Sequence, residues 1–98
     1  MYRSGSGRRV GGVLVFETTG DTSDAEAGFV AGKRVGNAVA RNRAKRRLRE
    51  AVRMVPLAPG SAYIFVATRD VLVVPFSTLV AWVNEAVRPA AGSRNDRD

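Results

Sequence analysis

The sequence predicts an α+β fold, a small α/β sandwich in which one sheet is covered by a basic helix and a C-terminal helix. Two observations support this prediction. The chain has 98 residues, of which 45% are hydrophobic, and that length and composition suit one domain with a single two-layer core. Its periodicities follow the order strand, strand, helix, strand, helix, and such a sheet needs helices on at least one face.

Two short strands are predicted in the first third of the chain. Residues 13–16 are β-formers that follow Gly11 and Gly12, and they indicate the first strand. Residues 20–27 are small and polar, which is typical of a loop. The apolar residues 28–31 indicate a second strand, and we expect the two strands to form a hairpin closed by that loop.

The basic helix is predicted to begin after Asn37, whose side chain is a favourable N-cap. Apolar residues then recur at intervals of three and four and fall within an arc of about 120° on a helical projection, the width of a core-facing stripe. They are Ala40, Ala44, Leu48, Ala51, Val52 and Val55. Beside the stripe lies a cationic row with one base per turn, formed by Arg41, Lys45, Arg49 and Arg53.

The remaining elements are one strand and one helix. Residues 56–60 (PLAPG) end the basic helix, and residues 62–68 form the clearest strand pattern in the sequence. Residues 71–74 are predicted to extend or follow that strand. Ser77 is a suitable N-cap for a final helix over residues 78–88. Residues 90–98 are small and polar, so we expect a disordered tail after a domain of residues 1–89.

Positive charge is concentrated in one segment. Residues 33–53 contain nine Lys or Arg residues and one acid, Glu50, so they carry +8, whereas the remainder carries −1 of the total of +7. Like charges four apart on a helix cost about 0.2–0.5 kcal/mol per pair. Bases at this spacing lie about 6 Å apart, comparable to successive phosphates. A nucleic-acid partner therefore explains the segment better than a solvated face does.

Arginine dominates this charge, with 14 Arg and only two Lys in the chain. The planar guanidinium matches a phosphate with two hydrogen bonds and stacks on bases, which favours nucleic acid. A GC-rich coding sequence would produce the same bias, so composition alone leaves both explanations open. The helix face opposite the Lys and Arg residues is mostly Ala, whereas a membrane-surface or calmodulin-target helix has bulky apolar side chains on that face.

The residue inventory excludes several chemistries for this chain. It has no Cys and no His, so zinc fingers, disulfide frameworks and His-dependent triads are excluded. Neither a secretory leader nor a membrane-spanning apolar run is visible, so we expect a cytoplasmic protein.

Among the aromatic residues, Phe76 is predicted in the core and Trp82 lies just off the apolar stripe of its helix. Period alone leaves Phe16 and Phe29 undecided between the two sheet faces.

The segment KRVGNAVARNRAKRRLRE, residues 33–50, resembles the signature of the protein subunit of bacterial ribonuclease P, named the RNR motif after its Arg-Asn-Arg. The resemblance implies a fold of the ribosomal-S5-domain-2-like type with a left-handed βαβ crossover. It also implies an accessory subunit that binds the catalytic RNA and assists Mg²⁺-dependent removal of the 5′ leader from precursor tRNA. In this family the RNA carries out the hydrolysis and, with the substrate, holds most of the Mg²⁺.

Residue by residue, the resemblance implies two contact surfaces and no catalytic or metal-binding residue in the protein. Partners are the ribonuclease P RNA and precursor tRNA, with no membrane and no required protein oligomer. The RNA-binding set is Arg41, Asn42, Arg43, Lys45, Arg46, Arg49 and Arg53. The set near the substrate and its leader is Lys33, Arg34, Asn37, Phe16 and Phe29.

The sequence departs from the family pattern at two places. Family members usually begin with a helix that carries aromatic side chains, whereas this sequence starts near the end of that helix, so we expect an N-terminally short domain. Two explanations stay open: a misassigned start, or a divergent member in which Tyr2 or Phe16 replaces the aromatic residues of that helix. The second departure is Gly32, at a position where family members often have Ser.

The alternative function is a non-catalytic protein of similar fold that binds structured RNA or the ribosome.

Overall fold

The computed structural model describes residues 6–20 and 23–88, and it confirms the α+β fold. The predicted tail and its boundary with the domain lie outside the described residues. A 3-10 turn, Lys33–Val35, precedes α1. The strands are β1 Ser6–Val10, β2 Val13–Thr19, β3 Glu26–Ala31 and β4 Ser61–Ala67, and the helices are α1 Ala38–Arg53, α2 Asp70–Val73 and α3 Phe76–Val87.

The four strands form one sheet in the order β1-β2-β4-β3. Strand β2 pairs antiparallel with β1 and with β4, whereas β3 pairs parallel with β4. The predicted hairpin between β2 and β3 is therefore wrong, because β4 lies between them. The parallel pair β3 and β4 is connected through α1, so the basic helix belongs to a βαβ unit.

The hairpin is formed instead by β1 and β2, with Gly11 and Gly12 as its two-residue turn. Gly11 has φ +57°, a backbone conformation that such tight turns require at their first central position. A Cβ at this position would lie 2.0 Å from Cε2 of Trp82, so the turn packs directly on the indole. Trp82 is half-buried and belongs to the packing of α3 on the sheet.

The core lies between one sheet face and the two long helices. Helix α1 packs on β3 and β4, and α3 packs on β1 and β2. Inward residues alternate along the strands, as in Val13 and Val15 of β2. The predicted stripe is confirmed within α1, where Ala40 is half-buried and the next four members are buried, and Val55 is buried just after the helix ends. The largest side chains with under 2% exposure are Tyr63, Phe65, Leu48, Leu79, Val13, Val71 and Val83.

The opposite sheet face is apolar, and no helix of the described residues covers it. Strand register places the side chains of residues 14 and 16 of β2 on this face, together with residues 64 and 66 of β4 and residue 30 of β3. We call this surface the open face, formed by Leu14, Phe16, Val30, Ile64 and Val66. Val30 and Ile64 are 45% and 43% exposed.

Three predictions near the C-terminus are wrong. Residues 71–74 do not extend β4, because the chain turns at Thr68 and forms the short helix α2. Helix α3 begins at Phe76 with Pro75 as its N-cap, and the carbonyl of Pro75 accepts hydrogen bonds from two main-chain N–H groups, so Ser77 is not the cap. Phe76 is 38% exposed rather than in the core, because it lies in the first turn of that helix.

An arginine of β1 joins the sheet to the end of α3. Arg8 Nη1 donates hydrogen bonds of 3.1 Å to the carbonyls of Glu85 and Arg88. These carbonyls lie at the helix C-terminus, where the last groups lack intrahelical donors and a cation is favourable. The contact fixes the edge strand β1 against α3.

Candidate nucleic-acid interface

The start of α1 is defined by two motif residues. Asn37 Oδ1 accepts a hydrogen bond from the main-chain N–H of Ala40 at 2.9 Å, which confirms the predicted N-cap. Gly36 has φ +146°, and a Cβ there would lie 2.9 Å from Cβ of Ala40. The Gly-Asn pair therefore turns the chain sharply from Lys33–Val35 into the helix, which a side chain at residue 36 would obstruct.

The basic face of α1 lies opposite its buried stripe. Arg46 and Asn42 are exposed near the outermost line of the helix, and Arg43 is exposed toward one side. In the cationic row, Arg41 and Lys45 are half-buried because they lie beside the stripe, whereas Arg49 and Arg53 are exposed. The structure thus brings all seven residues of the predicted RNA-binding set onto one helix of 16 residues.

Two members of the cationic row are held in place by neighbouring groups. Arg41 Nε donates a hydrogen bond of 3.1 Å to the carbonyl of Gly36, so this side chain points back toward the 3-10 turn. The guanidinium carbon of Arg49 lies 5.3 Å from the ring centroid of Phe29 in β3, within the range of a cation–π contact. The row is therefore anchored near both the first turn and the third.

Arg47 differs from the other bases of α1, because its side chain turns toward the α2–α3 connection. Its Nη2 donates a hydrogen bond to the carbonyl of Val74. Its Nε is buried without a hydrogen-bond partner among the described residues. Arg47 was not in the predicted RNA-binding set, and these contacts identify it as a packing residue between α1 and the segment before α3.

A second cationic surface lies where β3 and β4 end. A groove of about 560 Å³ is lined by Lys33 and Arg34 of the 3-10 turn, by Arg9 of β1 and by Arg69 after β4. We call it the end groove. A neighbouring groove of about 520 Å³ contains Asn37 and shares Arg69 with the first. The structure thus places Lys33 and Arg34 in one groove and Asn37 in the groove beside it.

Sequence reasoning missed Arg9 and Arg69, because they are 60 positions apart and far from the RNR motif. What the two residues share is a position near the end of a strand. Arg9 lies two residues before the turn of the β1–β2 hairpin, and Arg69 lies two residues after β4. Antiparallel pairing brings these two points to the same edge of the sheet. The signal becomes readable only when the pairing of β2 with β4 is known.

Phe16 and Phe29 lie on opposite faces of the sheet. Phe16 is on the open face, where a Cβ at Gly7 would lie 2.9 Å from its ring. Phe29 is on the helix-covered face, where its ring stacks on Phe65 with centroids 5.5 Å apart. No single surface therefore contains both phenylalanines of the predicted leader-proximal set.

No group of three or more Asp, Glu, His or Cys residues comes together as metal ligands among residues 6–20 and 23–88. None of the helices described is long and apolar enough to cross a membrane.

Fold and surface together define a small α+β protein that presents one strongly cationic helix above its sheet. The sequence model of the family described as Ribonuclease P matches residues 1–91 of the chain. The chain belongs to this family, the ribonuclease P proteins.

Curated relatives of the chain are named ribonuclease P protein component. The chain is 42% identical over 85 residues to the ribonuclease P protein component of Ruegeria pomeroyi, a match that covers 80% of this chain and 68% of the relative. It is 43% identical over 68 residues to that of Bartonella quintana, covering 66% of this chain and 51% of the relative. The chain thus spans about half to two thirds of the length of these relatives.

Solved structures confirm the fold. The RNase P protein from Thermotoga maritima superimposes with a TM-score of 0.75 at 19% identity, covering 88% of this chain and 84% of that one. The RNase P protein of Staphylococcus aureus gives a TM-score of 0.69 at 20% identity and covers 87% and 80% of the two chains. Sequence identity at this level supports a shared architecture and no more.

Proposed function

We propose that this chain acts as the protein component of ribonuclease P: it binds the catalytic RNA and assists removal of the 5′ leader from precursor tRNA. One observation supports the proposal above all others. The Arg-Asn-Arg helix buries one face in the core and presents its other face as a dense array of bases. The named relatives are ribonuclease P protein components, and the motif is the part of the chain that defines the resemblance.

The basic face of α1 suits docking on a folded RNA. Bases one turn apart rise about 6 Å along the helix, near the spacing of successive phosphates, so several can engage one backbone together. The buried stripe fixes the helix on the sheet, and so the backbone positions of the basic residues are set before binding. Binding through phosphates releases counterions, and affinity should therefore fall steeply as salt rises.

The end groove and the open face suit the substrate. Lys33, Arg34 and Arg69 provide cations for substrate phosphates, and Asn37 lies in the adjoining groove. The open face continues from the end groove at Val66 and contains Phe16, whose ring can stack on an unpaired base. In this proposal the single-stranded leader crosses the open face while α1 holds the RNA subunit.

Chemistry is assigned to the RNA subunit in this proposal. Phosphates of the RNA and the substrate would hold Mg²⁺ there, and the metal would supply the Lewis-acid chemistry of the hydrolysis. This chain contributes cations that lower the repulsion between the two RNAs, and that effect reduces the Mg²⁺ needed for binding. In this proposal the complex acts in the cytoplasm and does not require an oligomer of the protein.

The decisive experiment is cleavage of a precursor tRNA by a bacterial ribonuclease P RNA at low Mg²⁺, with and without this chain. We expect strong stimulation at low Mg²⁺ that fades as Mg²⁺ rises, because the metal then screens the repulsion by itself. The chain with Arg43, Arg46 and Arg49 all changed to Ala serves as the matched control, since it retains the core stripe and the N-cap.

Two results would contradict the proposal. Equal affinity for the ribonuclease P RNA and for an unrelated structured RNA of the same length, without stimulation of cleavage, would favour the general RNA-binding alternative. Cleavage by the protein alone in Mg²⁺ would show instead that the chain carries its own catalytic site.

A further inference from the structure

Phe29 connects the aromatic core to the basic face of α1. Its ring stacks on Phe65 at 5.5 Å between centroids with an interplanar angle of 16°, and Phe65 in turn stacks on Tyr63 at 5.9 Å and 23°. Above Phe29, on the side of α1, lies the guanidinium of Arg49 at 5.3 Å from the ring centroid. Three rings and one cation are therefore linked by consecutive pairwise contacts.

The two core rings in this series, Phe65 and Tyr63, are firmly held. Phe65 is fully buried and Tyr63 is 1% exposed. The hydroxyl of Tyr63 accepts a hydrogen bond of 3.1 Å from the main-chain N–H of Ala58, which fixes the ring at the start of β4. Phe29 is half-buried and packs against Phe65, so its ring is held in place beneath the exposed side chain of Arg49.

Arg49 would otherwise have wide freedom. It is exposed, and an arginine side chain loses up to about 2 kcal/mol of rotamer entropy when it is ordered. Glu50, the acid next in sequence, lies 100° further round the helix and away from β3. The ring of Phe29 thus offers a favourable contact that restricts the guanidinium before any partner binds, and this restriction lowers the entropy lost on binding.

We propose that Phe29 is a positioning residue for RNA binding: it holds Arg49 at the β3 side of α1 in the orientation that engages the RNA subunit. The inference rests on the proposed function, because it assumes that the basic face of α1 binds RNA. It assigns to Phe29 a role different from leader contact, and it makes the affinity contributed by Arg49 depend on an aromatic ring in a neighbouring strand.

The contact itself is tested without RNA. In the free protein, NMR should show the Arg49 side-chain protons shifted upfield by the ring current of Phe29, with assignment by comparison with Arg49→Lys. We expect the shift to disappear in Phe29→Leu and to persist in Phe29→Tyr. An Arg49 spectrum that is the same in the wild type and in Phe29→Leu would overturn the inference.

The consequence for binding is tested with a double-mutant cycle on the RNA subunit, using Phe29→Leu, Arg49→Ala and the combined variant. A cation–π contact at an exposed site corresponds to about a two- to fivefold change in affinity. We expect Phe29→Leu to weaken binding by this factor in the wild-type background and to have no effect once Arg49 is Ala. Phe29→Tyr should restore wild-type affinity.

Stability and the remaining arginines provide the controls. Urea unfolding of each variant shows that every protein is folded under the binding conditions, and Arg46→Ala reports on the basic face independently of Phe29. If Arg46→Ala and Arg49→Ala leave RNA binding unchanged, the proposed function fails. If both weaken binding but Phe29→Leu weakens it equally with and without Arg49, only the positioning role of Phe29 is overturned.

Discussion

Arg47 donates a hydrogen bond from its guanidinium to the main-chain carbonyl of Val74, and this bond joins α1 to the segment between α2 and α3. The residue lies in the most basic part of the sequence, between Arg46 and Leu48. Its neighbour Arg46 is exposed, whereas Arg47 is half-buried with its Nε enclosed. Adjacent arginines of one motif therefore serve different ends, one for packing and one for the surface.

Arg47→Ala should lower the free energy of unfolding by about 1–3 kcal/mol, because it removes the bond to Val74 and leaves that carbonyl without its donor. Arg47→Met should cost less, since it retains the packing of the side-chain stem. Urea denaturation measures both. Arg43→Ala, an exposed change on the same helix, is the control and should remain within about 0.5 kcal/mol of the wild type. Equal stability of all the variants would show that Arg47 is not a packing residue.

Arg46→Ala should weaken binding to the RNA subunit and reduce the slope of log affinity against log salt by about one. The physical reason is the loss of one phosphate contact and the counterion it releases. Filter binding over a range of salt concentrations measures the slope. Arg88→Ala removes the same charge at the end of α3, beside β1, and should leave the slope unchanged. A slope that does not respond to Arg46→Ala would argue against the exposed face of α1 as the docking surface.

Asn37→Ala should destabilise the protein by about 1 kcal/mol, because the N–H of Ala40 loses its side-chain acceptor. Asn37→Asp keeps the capping oxygen and adds a negative charge at the helix N-terminus, where it is favourable, so this variant should be at least as stable as the wild type. The same charge lies beside Arg69 in the neighbouring groove and should weaken the binding of precursor tRNA to the holoenzyme.

Thermal unfolding and substrate affinity together separate these two roles of Asn37. A stable Asn37→Asp protein with normal substrate affinity would mean that Asn37 acts only as a helix cap. Loss of stability in Asn37→Asp would show instead that the cap requires the amide group.

Phe16→Ala should weaken binding of a substrate that carries a leader, because stacking of an unpaired base on an aromatic ring contributes about 1–3 kcal/mol. Phe16→Leu preserves an apolar open face without an aromatic ring, and it should lose most of the same affinity. Mature tRNA, which has no leader, is the matched ligand and should bind all three proteins equally. An identical loss for both ligands would place the role of Phe16 in folding rather than in leader contact.

The basic helix could be predicted from the sequence almost completely, since its determinants are local. The cap at Asn37 and the periodic spacing of the stripe from Ala40 to Val55 are visible in one short segment of sequence, and both are confirmed. The pairing of β2 depended on residues 61–67, far along the chain, and the predicted partner was wrong. Strand β1 was missed because SGRRV has a single apolar residue, although Gly11-Gly12 before Val13 is itself a hairpin signal.

The candidate site was predictable only in part for the same reason. The bases of α1 share one helix, so spacing was enough to place them on one surface. Arg9 and Arg69 meet Lys33 only through the sheet, and no local pattern indicates this. Phe16 and Phe29 looked equivalent because the alternation of side chains along a strand defines two sheet faces without showing which face the helices cover. Pairing with β4 separates them, since Phe16 lies beside the exposed Ile64 and Phe29 beside the buried Phe65.

The position of β4 between β2 and β3 has a consequence for how the chain folds during synthesis. The hairpin of β1 and β2 can form as soon as residue 19 leaves the ribosome, but β3 has no neighbouring strand until residues 61–67 follow. During that interval the complete basic helix has already been translated while the strand that anchors it is unpaired. An RNA that engaged α1 at this stage would meet a helix without its sheet, so tight docking has to wait until β4 closes the gap.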